Sequence, residues 1–176
     1  MELTLVRHPQ PEVPAGCCYG RTDVAVAERE IARVHAALAP VDMPVYASPL
    51  GRCAGLARRL STAPRFDTRL AEMDFGAWEM RSWDDIPRAE VEAWSADLLH
   101  YRPGGGESVL DVATRVAAFL SELRQAGHAR AMLVCHAGTI RLLSSLHHGG
   151  SVEQAALRAA QAPHRIAYGE VLMLKD

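Results

Sequence analysis

Two short segments near the ends of the sequence each place a histidine directly after a run of apolar residues. Leu5-Val6-Arg7-His8 lies close to the start, and Leu133-Val134-Cys135-His136 lies close to the end. A branched apolar run that stops at a polar residue is typical of a buried parallel strand, and ligands bind at the carboxyl edge of such strands. A neutral histidine can accept a phosphoryl group. The two segments therefore predict one phosphoryl-transfer site that contains both His8 and His136.

Two arginines and a glutamate supply the other groups that this chemistry needs. Arg7 precedes His8, and Arg52 follows Ser48 and a proline, where we expect a helix to begin with Ser48 as its N-cap. A guanidinium stays charged, and its planar fork binds two phosphoryl oxygens. Glu72 offers a carboxylic acid that can protonate the leaving oxygen and later take a proton from water.

The residues after His136 add backbone donors. Ala137 and Gly138 are small residues between the expected strand and the expected start of a helix. Backbone N–H groups at a helix N-terminus point at any anion bound there. We therefore expect His136 to donate to the transferring oxygens beside these N–H groups.

A different phosphatase chemistry also fits this segment. Residues 135–141 match Cys-x5-Arg, the phosphate-binding loop in which a cysteine thiolate attacks phosphorus and Arg141 holds the oxygens. Against it, Ile140 stands where a small residue is usual, and Leu142 replaces the hydroxyl that assists the leaving thiolate. The cysteine mechanism also gives no role to Arg7, His8, Arg52 and Glu72. A cysteine-dependent phosphatase using Cys135 and Arg141 stays an alternative.

Strand-like and helix-like segments alternate along the chain. We expect strands at residues 3–6, 45–47, 66–70 and 131–134, with a hairpin or bent strand at 166–174, and helices at 26–39, 49–60, 108–125, 139–147 and 152–161. This order predicts an α/β fold with a mainly parallel sheet covered on both faces. Residues 1–176 are expected to form one domain, with a small helical cap inserted at about 76–106.

Composition argues against several classes of partner. The formal net charge is −2 and 23% of residues are charged, with no basic block of the kind that binds nucleic acid or a membrane surface. No apolar run approaches the roughly 20 residues that span a bilayer, and the first residues do not resemble a secretory signal. We expect a cytoplasmic protein with free thiols and, since no metal-ligand spacing occurs, no metal.

Five motifs in this order resemble the histidine phosphatase superfamily, the phosphoglycerate mutase-like enzymes. The matching segments are residues 5–8, 48–52, 72–79, 105–108 and 136–138. The resemblance covers nearly the whole chain. It implies a three-layer α/β/α sandwich with a small helical cap.

The same resemblance assigns roles to the site residues. It implies that His8 is phosphorylated and that Glu72 donates the proton. The implied phosphate clamp consists of Arg7, Arg52 and His136, with the backbone N–H of Ala137 as a neutral donor. It also implies no cofactor, a small phosphorylated metabolite as the substrate, and a monomer or homodimer.

Three positions depart from the family pattern. Pro9 stands where many members have glycine, and Pro14 stands where they carry an asparagine six residues after the histidine. One phosphate contact is therefore missing or replaced, and Arg21 or Thr22 are the candidates for substrate binding. Met80 replaces a common glycine, a change that we expect the fold to tolerate.

Residues 18–23 and 72–79 resemble the α-ribazole phosphatase branch of the superfamily most. That branch removes the 5′-phosphate from a nucleotide-like cobalamin precursor. The candidates for specificity in the cap are Tyr19, Trp83, Trp94 and Tyr101. Phosphoglycerate mutase-type transfer is an alternative that usually needs insertions around the pocket. A non-catalytic binding module is the least favoured, since every catalytic residue type is present.

Overall fold

A computed structural model describes residues 1–38, 40–163 and 165–175 of the chain. The strands within these ranges are β1 (Glu2–Arg7), β2 (Val45–Ala47), β3 (Arg65–Phe66), β4 (Arg130–Cys135) and β5 (Val171–Lys175). They form one sheet in the order β3-β2-β4-β1-β5. Strands β1 to β4 run parallel and β5 runs antiparallel to β1. The prediction of a mainly parallel sheet is confirmed.

Different helices cover the two faces of this sheet. The α-helices in the described part of the chain are α1 (Glu28–Leu38), α2 (Gly51–Leu60), α3 (Arg88–Ala96), α4 (Val109–Gln125), α5 (Ala137–His147) and α6 (Val152–Gln161). Val45 and Val134 pack with α1 and α2, whereas Tyr46 and Leu133 pack with α4, α5 and α6. Successive strand residues point to opposite faces, so the helices form two outer layers. The three-layer α/β/α sandwich is confirmed.

The register of the two central strands decides where the site lies. Strand β1 pairs in parallel with β4, and Arg7 stands opposite Cys135. The backbone N–H of His8 then donates to the Cys135 carbonyl at 3.0 Å. The next residue on each strand is a histidine, so His8 and His136 leave the same edge of the sheet side by side.

One expected strand is mostly absent. Only Arg65 and Phe66 pair with β2, and residues 68–70 form a 3₁₀ turn. The Asp67 side chain accepts a hydrogen bond from the Arg69 backbone N–H at 2.8 Å. An aspartate that bonds the backbone two residues later offers it an alternative to a strand ladder. The prediction of a strand at 66–70 was therefore wrong beyond Phe66.

The N-cap expected at Ser48 was also wrong. Helix α2 begins at Gly51 and its N-cap residue, Leu50, makes no side-chain cap. Instead the Asp23 carboxylate, from the loop after β1, accepts the Gly51 N–H at 2.8 Å. Ser48 instead accepts the Leu50 N–H, at 3.3 Å. A carboxylate from a distant loop therefore accepts a hydrogen bond at the positive end of this helix and stabilises it.

Most other boundaries fall within two residues of the expected ones. Helix α1 spans Glu28–Leu38, and the expected end at Ala39 lies outside the described residues. Helix α5 begins at Ala137, two residues early. Residues 166–170 precede β5 as a turn at Gly169, whose φ is +76°, so only the second half of that expected strand pairs.

The segment between Gly76 and Gly105 contains three 3₁₀ turns and helix α3. Its core holds Trp78 and Ile86, against which Trp94 and Tyr101 pack. Short helices in this segment were expected. That the segment forms a cap inserted into one domain stays a prediction. No helix among the described residues is long and apolar enough to cross a bilayer.

Met80 is strained, and replacing it with glycine should stabilise the fold. Among the described residues it is the one non-glycine residue with a positive φ, 62°, and its side chain is 46% exposed. A left-handed conformation costs a residue with a Cβ about 1–2 kcal/mol. We expect Met80→Gly to raise the free energy of unfolding by about 1 kcal/mol in urea titrations, because little apolar burial is lost. A lower midpoint with an unchanged m-value would contradict this.

Candidate active site

His8 is held as a neutral nucleophile. Its ring Nδ1 lies 2.8 Å from the Pro9 carbonyl oxygen. Because a carbonyl only accepts hydrogen bonds, Nδ1 carries the hydrogen and Nε2 keeps its lone pair. His8 is 2% exposed. Burial, and then the nearby charges of Arg52 and Arg7, lower its pKa to about 3. The ring is therefore uncharged and ready to attack over the physiological pH range.

His136 is held in the opposite tautomer. Its ring centroid lies 5.2 Å from that of His8, and the Nε of Arg52 donates to its Nδ1 at 3.2 Å. A guanidinium only donates, so Nε2 of His136 carries the hydrogen. Burial, followed by the His8 and Arg52 charges, lowers its pKa. His136 is fully buried and lies behind the cavity wall, where Cys53 Sγ is 3.5 Å from Nε2.

Arg52 is a fully buried cation fixed by a loop. Its Nη1 donates to the Thr22 carbonyl at 2.8 Å and its Nη2 donates to the Gly20 carbonyl. With the bond to His136, three of its five N–H groups are paired with described residues. The remaining two N–H groups can bind an anion in the cavity that Arg52 lines.

The loop that holds Arg52 is itself organised by Glu79. The Glu79 carboxylate accepts backbone N–H groups of Gly20 at 3.0 Å, Arg21 at 2.9 Å and Thr22 at 3.2 Å. Burial raises the pKa of Glu79, but these bonds and one from the Phe75 N–H outweigh it and leave the pKa below its ordinary value. The sequence pointed to Glu79 only as part of a family motif. Its partners at residues 20–22 are more than fifty residues away, a distance that local patterns do not reach.

Arg7 is the second arginine whose charge lies close to His8. Its Nη1 donates to the Ile166 carbonyl, and its guanidinium carbon lies 3.8 Å from the centre of the Tyr168 ring. Its Nε is buried and has no hydrogen-bond partner within the described ranges. An orphaned buried donor costs free energy unless a ligand pairs it. Arg7 therefore has a donor left for an anion beside His8.

Glu72 is held beside the histidines by backbone donors. One carboxylate oxygen accepts the Gly138 N–H at 3.0 Å, and the other accepts the Met73 N–H at 3.0 Å. Each oxygen keeps a second lone pair, and Glu72 lines the same cavity as His8. Arg115 supports this segment by donating to the Glu72 carbonyl at 3.1 Å.

Gly138 is required for this position of Glu72, and Gly138→Ala tests it. A Cβ on Gly138 would lie 2.4 Å from a Glu72 carboxylate oxygen, so the carboxylate would have to move. We expect kcat to fall about 100-fold, the usual effect of a 1 Å misplacement of a reacting group. The melting temperature serves as the control and should not fall, because alanine favours the first turn of a helix. A kcat within twofold of the wild type would contradict the placement.

Three weaker candidates are placed as follows. Ala137 is the first residue of α5 and lines the cavity, and the N–H groups of a first helical turn lack intrahelical partners. Arg21 and Thr22 do not line the cavity. Their backbone N–H groups bond Glu79, and the Thr22 carbonyl bonds Arg52. Direct binding of substrate by these three residues stays a prediction.

The cysteine alternative meets unfavourable geometry. Cys135 is fully buried in β4 and does not line the cavity. Burial, and then the neighbouring Cys53 and Glu72, raise its pKa well above the ordinary value, whereas a nucleophilic thiol needs a low one. Arg141 donates to backbone carbonyls at the end of α6, including Ala160 at 3.1 Å. The segment is a strand followed at once by a helix, and it lacks the loop that would wrap a phosphate.

The cavity in front of His8 has a volume of about 430 Å³. The charged side chains that line it are Arg7, Arg52, Glu72 and Arg141. Its lining also includes the aromatic and apolar side chains of Phe75, Trp83, Trp94, Leu98, Val109 and Leu142. The sequence did not single out Tyr168, which also lines the cavity. Nothing near it in the chain indicates a site.

Comparison with known proteins gives the family. A family model described as histidine phosphatase superfamily (branch 1) matches residues 3–166. The adenosylcobalamin/alpha-ribazole phosphatase of Salmonella typhimurium is 32% identical over 157 residues, covering 81% of this chain and 77% of that protein. A probable fructose-2,6-bisphosphatase of Schizosaccharomyces pombe is 30% identical over 113 residues, which are 62% of this chain but only 27% of that protein.

Solved structures agree with the family. The alpha-ribazole phosphatase from Shigella flexneri superposes with a TM-score of 0.83 and 26% identity, covering 99% of this chain and 90% of that one. A mycobacterial glucosyl-3-phosphoglycerate phosphatase gives 0.78 and 27%, covering 99% and 89%. The phosphoglycerate mutase-like fold expected from the motifs is confirmed. The chain belongs to branch 1 of the histidine phosphatase superfamily and is an enzyme that hydrolyses phosphomonoesters.

Proposed function

We propose that the enzyme transfers the phosphoryl group of its substrate to His8 and then to water. The observation that carries this proposal is the tautomer of His8, whose Nδ1–H is committed to the Pro9 carbonyl at 2.8 Å. Nε2 is therefore the free nucleophile. Arg7 and Arg52 lie near it and have N–H groups that no described residue pairs. Their two positive charges balance the charge of about −2 on a phosphate monoester.

The first step forms one bond and breaks one. Nε2 of His8 attacks phosphorus in line, the P–O bond to the leaving group breaks, and the carboxylic acid of Glu72 gives its proton to the departing oxygen. The positive charge that develops on the imidazole is stabilised through the Nδ1–H bond to Pro9. Arg7 and Arg52 hold the equatorial oxygens in fixed positions, which is the electrostatic contribution that usually dominates.

The second step returns the enzyme to its starting state. Glu72, now a carboxylate, takes a proton from water, and the oxygen of that water attacks phosphorus. The P–N bond breaks and its electron pair returns to Nε2 of His8. Inorganic phosphate leaves, and Glu72 is protonated again. No step calls for a metal ion, so we expect full activity in EDTA.

The aromatic side chains that line the cavity support a substrate with a flat aromatic leaving group. Trp83 and Trp94 line the cavity with nearly parallel rings, inclined at 6° with centroids 6.3 Å apart, and aromatic faces favour stacking with planar groups. The Salmonella relative is named an adenosylcobalamin/alpha-ribazole phosphatase. We propose α-ribazole 5′-phosphate as the substrate and a place in cobalamin biosynthesis. Of the other specificity candidates, Tyr19 lines the cavity and Tyr101 packs behind it.

A panel of phosphate monoesters tests this proposal. The panel contains α-ribazole 5′-phosphate, 3-phosphoglycerate and p-nitrophenyl phosphate, and released inorganic phosphate is measured with and without EDTA. We expect the highest kcat/KM for α-ribazole 5′-phosphate. Equal values for 3-phosphoglycerate would contradict the aromatic specificity, and conversion of 3-phosphoglycerate to its 2-phospho isomer without phosphate release would favour a mutase.

A further inference from the structure

Two tyrosine hydroxyls meet at the wall of the catalytic cavity. Tyr19 Oη lies 2.8 Å from Tyr168 Oη, and both side chains line the cavity together with His8. Tyr19 belongs to the loop after β1, whereas Tyr168 lies in the turn before β5. The hydroxyl pair therefore joins two loops that are 149 residues apart in sequence.

Each ring of this pair packs with one of the arginines that flank the nucleophile. The guanidinium carbon of Arg7 lies 3.8 Å from the centre of the Tyr168 ring, and that of Arg52 lies 5.4 Å from the centre of the Tyr19 ring. Both distances are within the range of cation–π attraction. The His8 and Tyr168 ring centroids are 5.6 Å apart. The Tyr168 ring is thus held beside the nucleophile, and the Tyr19 ring beside an arginine that can bind its phosphoryl group.

The hydrogen count of the pair leaves one donor free. Two hydroxyls carry two hydrogens, and the bond between them uses one. Within the part of the chain that the structure describes, neither hydroxyl bonds another group. Burial, followed by the hydrogen bond to Tyr168, raises the pKa of Tyr19, so the Tyr19 hydroxyl keeps its hydrogen. Because both side chains line the cavity, a group bound there can accept this free hydrogen.

We propose that the Tyr19–Tyr168 hydroxyl pair donates this hydrogen to a phosphoryl oxygen during transfer to and from His8. The pair is then a neutral donor alongside the two arginines. It supplies the phosphate contact that is missing at Pro14, which is exposed and does not line the cavity. The proposal rests on the phosphohistidine mechanism, since it places the donor against a phosphoryl group on His8.

Phenylalanine substitutions test the pair because they remove the hydroxyls and keep the rings. We expect the double variant Tyr19→Phe/Tyr168→Phe to lose about tenfold in kcat/KM, mainly in kcat, because a hydrogen bond to a charged oxygen is lost. The inhibition constant of orthovanadate, which mimics the five-coordinate phosphorus, should rise in parallel. The matched control is Tyr46→Phe, which loses hydroxyl bonds to His128 and Arg65 outside the cavity and should stay within twofold of the wild type.

The outcomes distinguish a tyrosine pair that donates to the phosphoryl group from one that only stabilises the contact between the two loops. A loss of fivefold or more in kcat/KM, matched by vanadate and with an unchanged melting temperature, supports the donor. A smaller loss overturns it, as does a loss that lowers the melting temperature while vanadate binds as before. Phosphate labelling of the wild-type His8 is measured in the same series. If the wild type is not labelled at His8, the phosphohistidine mechanism itself is wrong. If the wild type is labelled normally but the phenylalanine variants keep their activity, only the proposed role of the tyrosine pair is wrong.

Discussion

The His8→Ala variant is expected to carry no phosphate after rapid quenching with a 32P-labelled monoester, whereas the wild type is labelled. Its kcat should fall about 10⁴- to 10⁶-fold, the range found when a catalytic nucleophile is removed. The reason is that Nε2 of His8 is the free ring nitrogen and that the charges of Arg52 and Arg7 lie close to this ring. The label on the wild type should be lost in acid and kept in base, as a phosphohistidine requires.

Cys135→Ser is the matched control for this experiment. Cys135 is adjacent in space to His8, through the 3.0 Å backbone bond between the two residues, but its thiol is fully buried with a raised pKa. We expect the serine variant to be labelled and active. Labelling that persists in His8→Ala and vanishes in Cys135→Ser would establish the cysteine mechanism instead.

Stability measured as a function of pH tests whether the alanine variant is folded and whether His8 is buried in its neutral form. The pKa of His8 is about 3 in the folded protein, below the ordinary 6.5. Between these values the unfolded chain binds a proton that the folded protein does not, so stability falls as pH drops through this window. His8→Ala removes this contribution. Its stability should decline less steeply from pH 7 to pH 4 than that of the wild type, in urea titrations at each pH.

The sequence was sufficient for the parts of the site that depend on strand ends. His8 and His136 each follow an apolar run, and parallel pairing of β1 with β4 brings them to one edge. Periodicity also placed α4 and α6, and in the structure a serine caps the N-terminus of each of these helices. These features depend on residues that are close in the chain, and local patterns report such features well.

The parts that the sequence did not predict depend on contacts between distant residues. The first backbone N–H of α2 donates to Asp23, which is 28 residues away, and not to Ser48. Glu79 binds the loop at residues 20–22 from nearly sixty residues away, and Tyr168 reaches Tyr19 across most of the chain. The sequence next to each of these residues does not distinguish it from other polar residues. Only the folded arrangement shows that these residues hold the groups around the phosphate.

Glu72→Gln should separate protonation of the leaving group from binding of the phosphate. We expect kcat to fall about 10²- to 10⁴-fold for an alkyl monoester, the usual contribution of a general acid and base. For p-nitrophenyl phosphate the loss in the first step should be far smaller, because nitrophenolate leaves without a proton. The burst of nitrophenolate before steady state measures that step directly. The second step still needs a base, so the phosphoenzyme should accumulate in this variant.

Glu79→Gln is the matched control for Glu72, because both are glutamates that accept backbone N–H groups near the cavity. Glu79 orders the loop whose carbonyls hold Arg52 and touches no reacting group. Its variant should lose activity equally on alkyl and nitrophenyl substrates, with a lower melting temperature and no accumulated phosphoenzyme. If Glu72→Gln showed that same uniform loss, Glu72 would be a positioning residue, and the proton would have to come from another group or from water.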